Sequence, residues 1–170
     1  MTEGPDHTPQ APVHLDLETA EDTRALGARL GALLRAGDLV VLTGDLGAGK
    51  TTLTQGLAEG LGVRGPITSP TYVIARVHPS QVGGPDLVHV DAYRLGGGAE
   101  LDDLDLDATL EEAVTVVEWG HGLAEQLADS RLEVELHRSG SEDDDRQGRT
   151  ARITGSGPRW QGFTLPAELT

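Results

Sequence analysis

Eight residues, Gly44 to Thr51 (GDLGAGKT), fit the pattern G-x-x-x-x-G-K-[ST] at every fixed position. An apolar stretch, LVVLT at 39–43, precedes them and a helical pattern follows, which is the context the pattern requires. Glycines in such a loop let successive backbone N–H groups close on phosphate oxygens, and the start of the next helix adds partial positive charge. The cradle is then the backbone of Asp45, Leu46, Gly47, Ala48 and Gly49, with Thr52 just behind it. Lys50 reaches the β- and γ-phosphates, and Thr51 offers its hydroxyl to Mg²⁺. The chemistry this predicts is Mg²⁺-dependent binding of a nucleoside triphosphate. A glycine-rich turn without that chemistry explains neither the lysine nor the threonine.

Of the 13 basic residues only Lys50 is a lysine; the other 12 are arginines. A tight phosphate cradle suits a compact ammonium on a thin stem and not a broad guanidinium fork. A metal-bound triphosphate also needs an acid close by, usually one ending a buried strand. Asp91 in LVHVDAYR and Glu118 in VTVVEWG both emerge from apolar runs, and strand ends of this kind open onto the ligand crevice of an α/β sheet. Both are candidate metal-site acids, with Thr51 as the third member. Three of the chain's five aromatic residues sit in candidate stretches, Tyr72 in SPTY, Tyr93 in DAYR and Trp119 in EW. His89 falls two residues before Asp91, on the same strand face, where sheet packing is the expected role.

These groups need strands and helices to hold them. PVHLDL at 12–17 reads as a short edge strand. The following helix carries Leu26, Leu30, Leu33 and Leu34 on one face, with Thr19 and Asp22 forming a capping box and Gly37 past its end. The loop helix is expected over Lys50 to Leu61. Further strands are expected from Tyr72 and at LVHVDAYR, VTVVEWG, RLEVELHR and TARIT. The alternation predicts a three-layer α/β/α P-loop domain with a largely parallel sheet and antiparallel strands near the C-terminus. That domain is expected over residues 13–155, flanked by a flexible extension (1–12) and a tail (156–170).

Composition narrows the function. The chain of 170 residues carries a formal charge of -15, a field that repels polyanions, so direct binding of DNA or RNA is not expected. It has no cysteine, hence no thiolate zinc site and no thiol nucleophile. No apolar run approaches the ~18 residues of a membrane span, and the amino terminus lacks the regions of a secretory signal. A cytoplasmic protein is expected. Asp103, Asp105 and Asp107 suggest a calcium loop, but Ala108 and Val114 stand where an EF-hand requires glycine and glutamate. A guanine-reading Asn-Lys-x-Asp element is absent, since the sequence has no asparagine. A small-molecule kinase closing Arg76, Arg94, Arg149 and Arg152 over the phosphates stays open as an alternative.

GDLGAGKTTLTQGLAEGLGV, ITSPTY, HVDAYRL and VVEW occur in the order and approximate spacing of the TsaE (YjeE) family, the ATPase of bacterial tRNA threonylcarbamoyladenosine synthesis, and the chain resembles that family over residues 13–153. The resemblance implies slow ATP hydrolysis alone and action with the proteins TsaB and TsaD. Those partners modify adenosine 37 of tRNA, so tRNA is met only through them. It assigns Lys50 and Thr51 to the phosphate and Mg²⁺, Asp91 to the essential acid of the second motif, and Glu118 to a further acid of the Mg²⁺ site. Thr71 becomes the threonine of a switch-like loop, and Thr19 and Arg149 neighbours of the base. Whether Glu118 is chiefly metal ligand or general base stays open. The amino-terminal extension, RLGGGAEL and the acidic stretch at 141–145 depart from the family pattern.

Overall fold

The computed structural model describes residues 13–44, 49–63, 75–91, 111–118, 130–138 and 148–160, with backbone alone at Ala75 and Asp91. Seven strands form one sheet in the order β1-β7-β6-β2-β5-β4-β3. They are β1 (Val13–Leu17), β2 (Leu39–Gly44), β3 (Ala75–His78), β4 (Asp86–Asp91), β5 (Ala113–Glu118), β6 (Arg131–Arg138) and β7 (Arg149–Ser156). Among the described residues there are two α-helices, α1 (Ala20–Leu33) and α2 (Lys50–Leu61). The four central strands, β6, β2, β5 and β4, run parallel. The rest pair antiparallel at both margins, β7 between β6 and β1 on one side and β3 against β4 on the other. The fold is therefore a mixed, mostly parallel α/β sheet. The antiparallel strand expected near the C-terminus is β7, and antiparallel pairing occurs as well at β1 and β3, the two edges of the sheet.

Strand register sorts the side chains. Val40 and Leu42 of β2 share a face with Val114 and Val116 of β5, Leu87 of β4 and Leu132, Val134 and Leu136 of β6, and this face meets Leu26, Leu30, Leu53 and Leu57 of the helices. On the opposite face, Leu39, Val41, Val88, Val90 and Val117 are also buried. Central strands buried on both sides read as continuous apolar runs, which is why LVVL and VTVV carry no alternation. On the outer face of β6 and β7, by contrast, Glu133, Glu135 and Arg152 stay partly or fully exposed, as the alternation of RLEVELHR predicts.

Helix α1 begins with the expected capping box: Asp22 N–H donates to Thr19 Oγ1 (3.1 Å), and Thr19 N–H donates back to Asp22 Oδ2 (3.2 Å). Leu34 closes the helix, and Gly37 stands three residues further on, in the turn into β2. Leu33, expected on the apolar face, is instead exposed. The two helices touch each other more extensively than any other pair of elements. Glycines make this approach: a Cβ at Gly27 or Gly31 would meet the carbonyl oxygens of Leu53 or Leu57, and one at Gly56 or Gly60 those of Arg24 or Ala28, all well inside 3.0 Å. Arg24 and Glu59 form an ion pair across the rim of this crossing. That hydrogen-bonded partner raises the Arg24 pKa and lowers that of Glu59. Both side chains are about half exposed, so the pair adds little.

The fold does not stop at residue 155. Beyond β7, a 3-10 turn (Pro158–Trp160) buries the Trp160 side chain in the helix-side core, where it sits against Gly155. Next to it, Arg159 donates from Nε to Asp38 Oδ1 (3.0 Å) and from Nη2 to Asp38 Oδ2 (3.2 Å) and the Leu33 carbonyl (3.1 Å). Asp38 is almost wholly buried and also accepts the Arg35 N–H at 2.8 Å. The expected tail from 156 is thus corrected, since a bidentate ion pair and a tryptophan fasten this segment to the end of α1. Residues 1–12 and 161–170 lie outside the described residues.

The glycine crossing generates one prediction. Gly→Ala inside an exposed helix gains up to about 1 kcal/mol in propensity, but overpacking against a backbone oxygen costs about 1–3 kcal/mol or more. Gly56→Ala should therefore be net destabilising by roughly 2 kcal/mol, lowering Tm by about 4–8 °C. Gly84→Ala, where a Cβ meets nothing nearer than 3.8 Å, should stay within about 0.5 kcal/mol. The Asp38 clasp gives a second: Arg159→Ala strands a buried carboxylate and should cost about 3 kcal/mol in urea unfolding. Unchanged midpoints would show that the segment after β7 contributes nothing.

Candidate functional site

Because β2, β4, β5 and β6 are parallel, their carboxyl ends share one edge of the sheet, which carries Gly44, Asp91, Glu118 and Arg138. Antiparallel β7 brings its amino-terminal residue, Arg149, to the same edge, opposite Arg138 in register. β1 pairs so that Leu17 lies opposite Arg149, and the chain then turns at Thr19 into α1. Thr19, Gly44, Lys50, Asp91, Glu118 and Arg149 thus gather from six elements at the edge where α/β sheets bind ligands. Asp45, Leu46, Gly47, Ala48 and Thr71 lie outside the described residues, as do Tyr72, Tyr93 and Trp119.

Helix α2 starts as a phosphate site requires. Gly49, its N-cap, has φ 103°, a left-handed conformation that favours glycine, and no side chain among the described residues caps the helix. Its first turn carries no acid, so the partial positive charge of the helix start is not offset within the helix. Lys50 is buried at the first helical position, with Nζ donating to the Gly44 carbonyl across the loop mouth. Thr51 and Thr52 follow, both half-buried, and Thr54 anchors the turn by donating from Oγ1 to the Lys50 carbonyl at 2.8 Å. These features fit a bound polyphosphate.

Beside the helix start, a cleft of about 210 Å³ is lined by Ala20, Thr23, Gly49, Thr52 and Arg149. The Thr23 methyl would stand 3.6 Å from a Cβ at Gly49, so α1 forms one wall. Thr19 is next to this wall, but its hydroxyl is engaged in capping α1. Arg149 donates from Nη1 to the Gly148 carbonyl at 2.8 Å. Partial burial lowers its pKa, and the Arg138 charge adds to this. Of the arginines considered for a kinase, Arg152 faces the other side of the sheet, 3.5 Å from Glu135, and cannot reach this edge.

Glu118 ends β5 with its carboxylate buried, level in register with Leu42 and Asp91. His89, entirely buried, approaches it with Nε2 3.2 Å from Oε2. Sequence reasoning assigned His89 to packing and missed this contact; the signal available was its parity with Asp91. Among the described residues no group of three or more His, Cys, Asp or Glu forms a protein cage for a metal, and no helix is long and apolar enough to cross a membrane.

The family model described as threonylcarbamoyl adenosine biosynthesis protein TsaE matches residues 17–148. The tRNA threonylcarbamoyladenosine biosynthesis protein TsaE of Streptomyces coelicolor is 61% identical over 138 residues, covering 81% of this chain and 93% of that protein. Its namesake in Bacillus subtilis is 41% identical over 128 residues, covering 75% and 77%. A crystal structure of YdiB from Bacillus subtilis aligns with a TM-score of 0.70 and 33% identity, over 92% of this chain and 93% of that one. The match runs from the end of β1 to the residue before β7 and takes in the carboxyl ends of all four parallel strands: this chain belongs to the TsaE family.

Proposed function

We propose that the protein binds and hydrolyses ATP as the accessory ATPase of the complex that forms N6-threonylcarbamoyladenosine at tRNA position 37, acting with TsaB and TsaD in the cytoplasm. The observation that carries this reading is the uncapped start of α2, with buried Lys50, on the same sheet edge as the buried carboxylate of Glu118. The names of the relatives supply the process.

In this reading Lys50 turns from the Gly44 carbonyl to the β- and γ-phosphate oxygens, and the N–H groups at the start of α2 hold the phosphates in place. Thr51, Asp91 and Glu118 would hold Mg²⁺, which when bound draws charge off the phosphate oxygens. Glu118 either accepts the proton of the attacking water or completes the cation's shell. The base lies in the cleft between α1 and Arg149, with Thr19 alongside. Thr71 belongs to a loop that a partner orders, so turnover is slow until TsaB and TsaD are present; ordering or a supplied charge elsewhere gains about 10³ to 10⁵ in rate. The acidic chain meets tRNA only through those partners.

The test is ATP turnover by the purified protein, alone and with TsaB and TsaD. A clear rise with the pair is expected, and phosphate transfer to a metabolite would favour a kinase instead. Lys50→Ala should abolish binding of a non-hydrolysable ATP analogue in calorimetry with the fold intact, and Lys50→Arg should bind poorly, because the cradle takes a point charge. Near-normal affinity in both would remove the P-loop assignment. Glu118→Gln should lower the stimulated single-turnover rate by about 10² or more. A loss that persists at every Mg²⁺ concentration marks a base, and one relieved by high Mg²⁺ marks a metal ligand.

A further inference from the structure

Packing alone does not call for an imidazole in the middle of β4. On its face of the sheet the neighbours of position 89 are apolar, Leu87 on β4 and Val114 and Val116 on β5, and His89 is fully buried there. Neither of its ring nitrogens has an aligned hydrogen-bond partner among the described residues. A buried polar group without a partner is costly, so one that persists needs an explanation. Nε2 lies 3.2 Å from Glu118 Oε2, so distance is already suitable and only direction has to change. The strands explain the placement. His89 is level with Val116 on β5, two residues before Glu118 on the same face, so the ring reaches diagonally to a carboxylate at the sheet edge.

We propose that His89 is a positioning residue, donating its Nε2–H to the Glu118 carboxylate and thereby fixing the rotamer in which that carboxylate serves the γ-phosphate. The proposal rests on the ATPase reading above and deepens it. Glu118 is the final residue of β5. Its backbone is fixed by the parallel ladders, but its side chain has several staggered rotamers available. A donor from the neighbouring strand selects one of them. Such support matters because small misplacement of a reacting or ligating group is expensive in rate, and partners behind a site residue typically account for about 10- to 100-fold in activity. His89 touches neither nucleotide nor water in this scheme; it acts through Glu118.

Two measurements on the full chain test it. Imidazole ¹⁵N NMR of the protein without nucleotide should show a proton on His89 Nε2, and an Nδ1–H tautomer would overturn the pairing. In the kinetic arm, with TsaB and TsaD present, His89→Leu should lower kcat by about 10- to 100-fold. Its KM for ATP and affinity for a non-hydrolysable analogue should stay within about 3-fold, since ground-state binding is not the interaction removed. His89→Gln, which returns an amide N–H near the place of Nε2, should recover most of the lost kcat. A merely structural role would instead lower both variants together with their Tm, and that outcome, like wild-type kcat in His89→Leu, would overturn the proposal. Wild-type protein that hydrolyses no ATP even with its partners would overturn the ATPase reading itself, and the tautomer would still decide the His89–Glu118 pairing.

Discussion

Backbone-to-backbone contact between α1 and α2 is the constraint on which the rest of the molecule depends. Two glycines on each helix, Gly27 and Gly31 on one and Gly56 and Gly60 on the other, leave no Cβ at the points of closest approach, so that each helix lies against carbonyls of the other. Contacts made by side chains can be retuned by a change of rotamer, but contacts made by backbone cannot. The position of α1 is therefore set by the position of α2. One consequence reaches the candidate site directly: the first turn of α1 stands against Gly49 and forms one wall of the cleft beside the start of α2.

The charges are arranged around that frame. The chain as a whole is strongly acidic, yet its one lysine and a partly buried arginine stand on the carboxyl edge of the parallel strands. Close to them lies a buried carboxylate with an imidazole behind it. At the other end of the sheet, Asp38 and Arg159 form a bidentate pair under Trp160, whose ring lies 4.2 Å from the Arg159 guanidinium carbon. The two ends thus use buried charge differently. The pair at the far end is satisfied within the protein and fastens the chain, whereas behind the carboxyl edge the buried His89 has no aligned hydrogen-bond partner among the described residues.

Much of this was legible in the order of residues. GDLGAGKT announced the helix behind the loop, and α2 runs from Lys50 to Leu61 as the pattern required, because the signals that start and stop a helix are local. The capping box of α1, the alternation of β6 and the apolar runs of β2 and β5 are equally local. Other features were not legible. Nothing in PRW told that the residues after β7 belong to the core, since the clasp depends on Asp38, more than a hundred residues earlier. Glycines at 27, 31, 56 and 60 read as weak points in two helices until the helices were laid together.

By itself, then, the sequence determined the chemistry available at each strand end, the family to which the chain belongs, and the local elements, because these depend on residue type and short-range spacing. Tertiary structure decided which ends are neighbours. Strand order placed β4 and β5 side by side in register, and this brought His89 within reach of Glu118 although the two are 29 positions apart in the chain. It also carried Arg149 and the start of α1 to one cleft through the antiparallel edge formed by β1 and β7. Such juxtapositions come from long-range pairing and from how closely two backbones can approach, and neither quantity is written in any single segment of the chain.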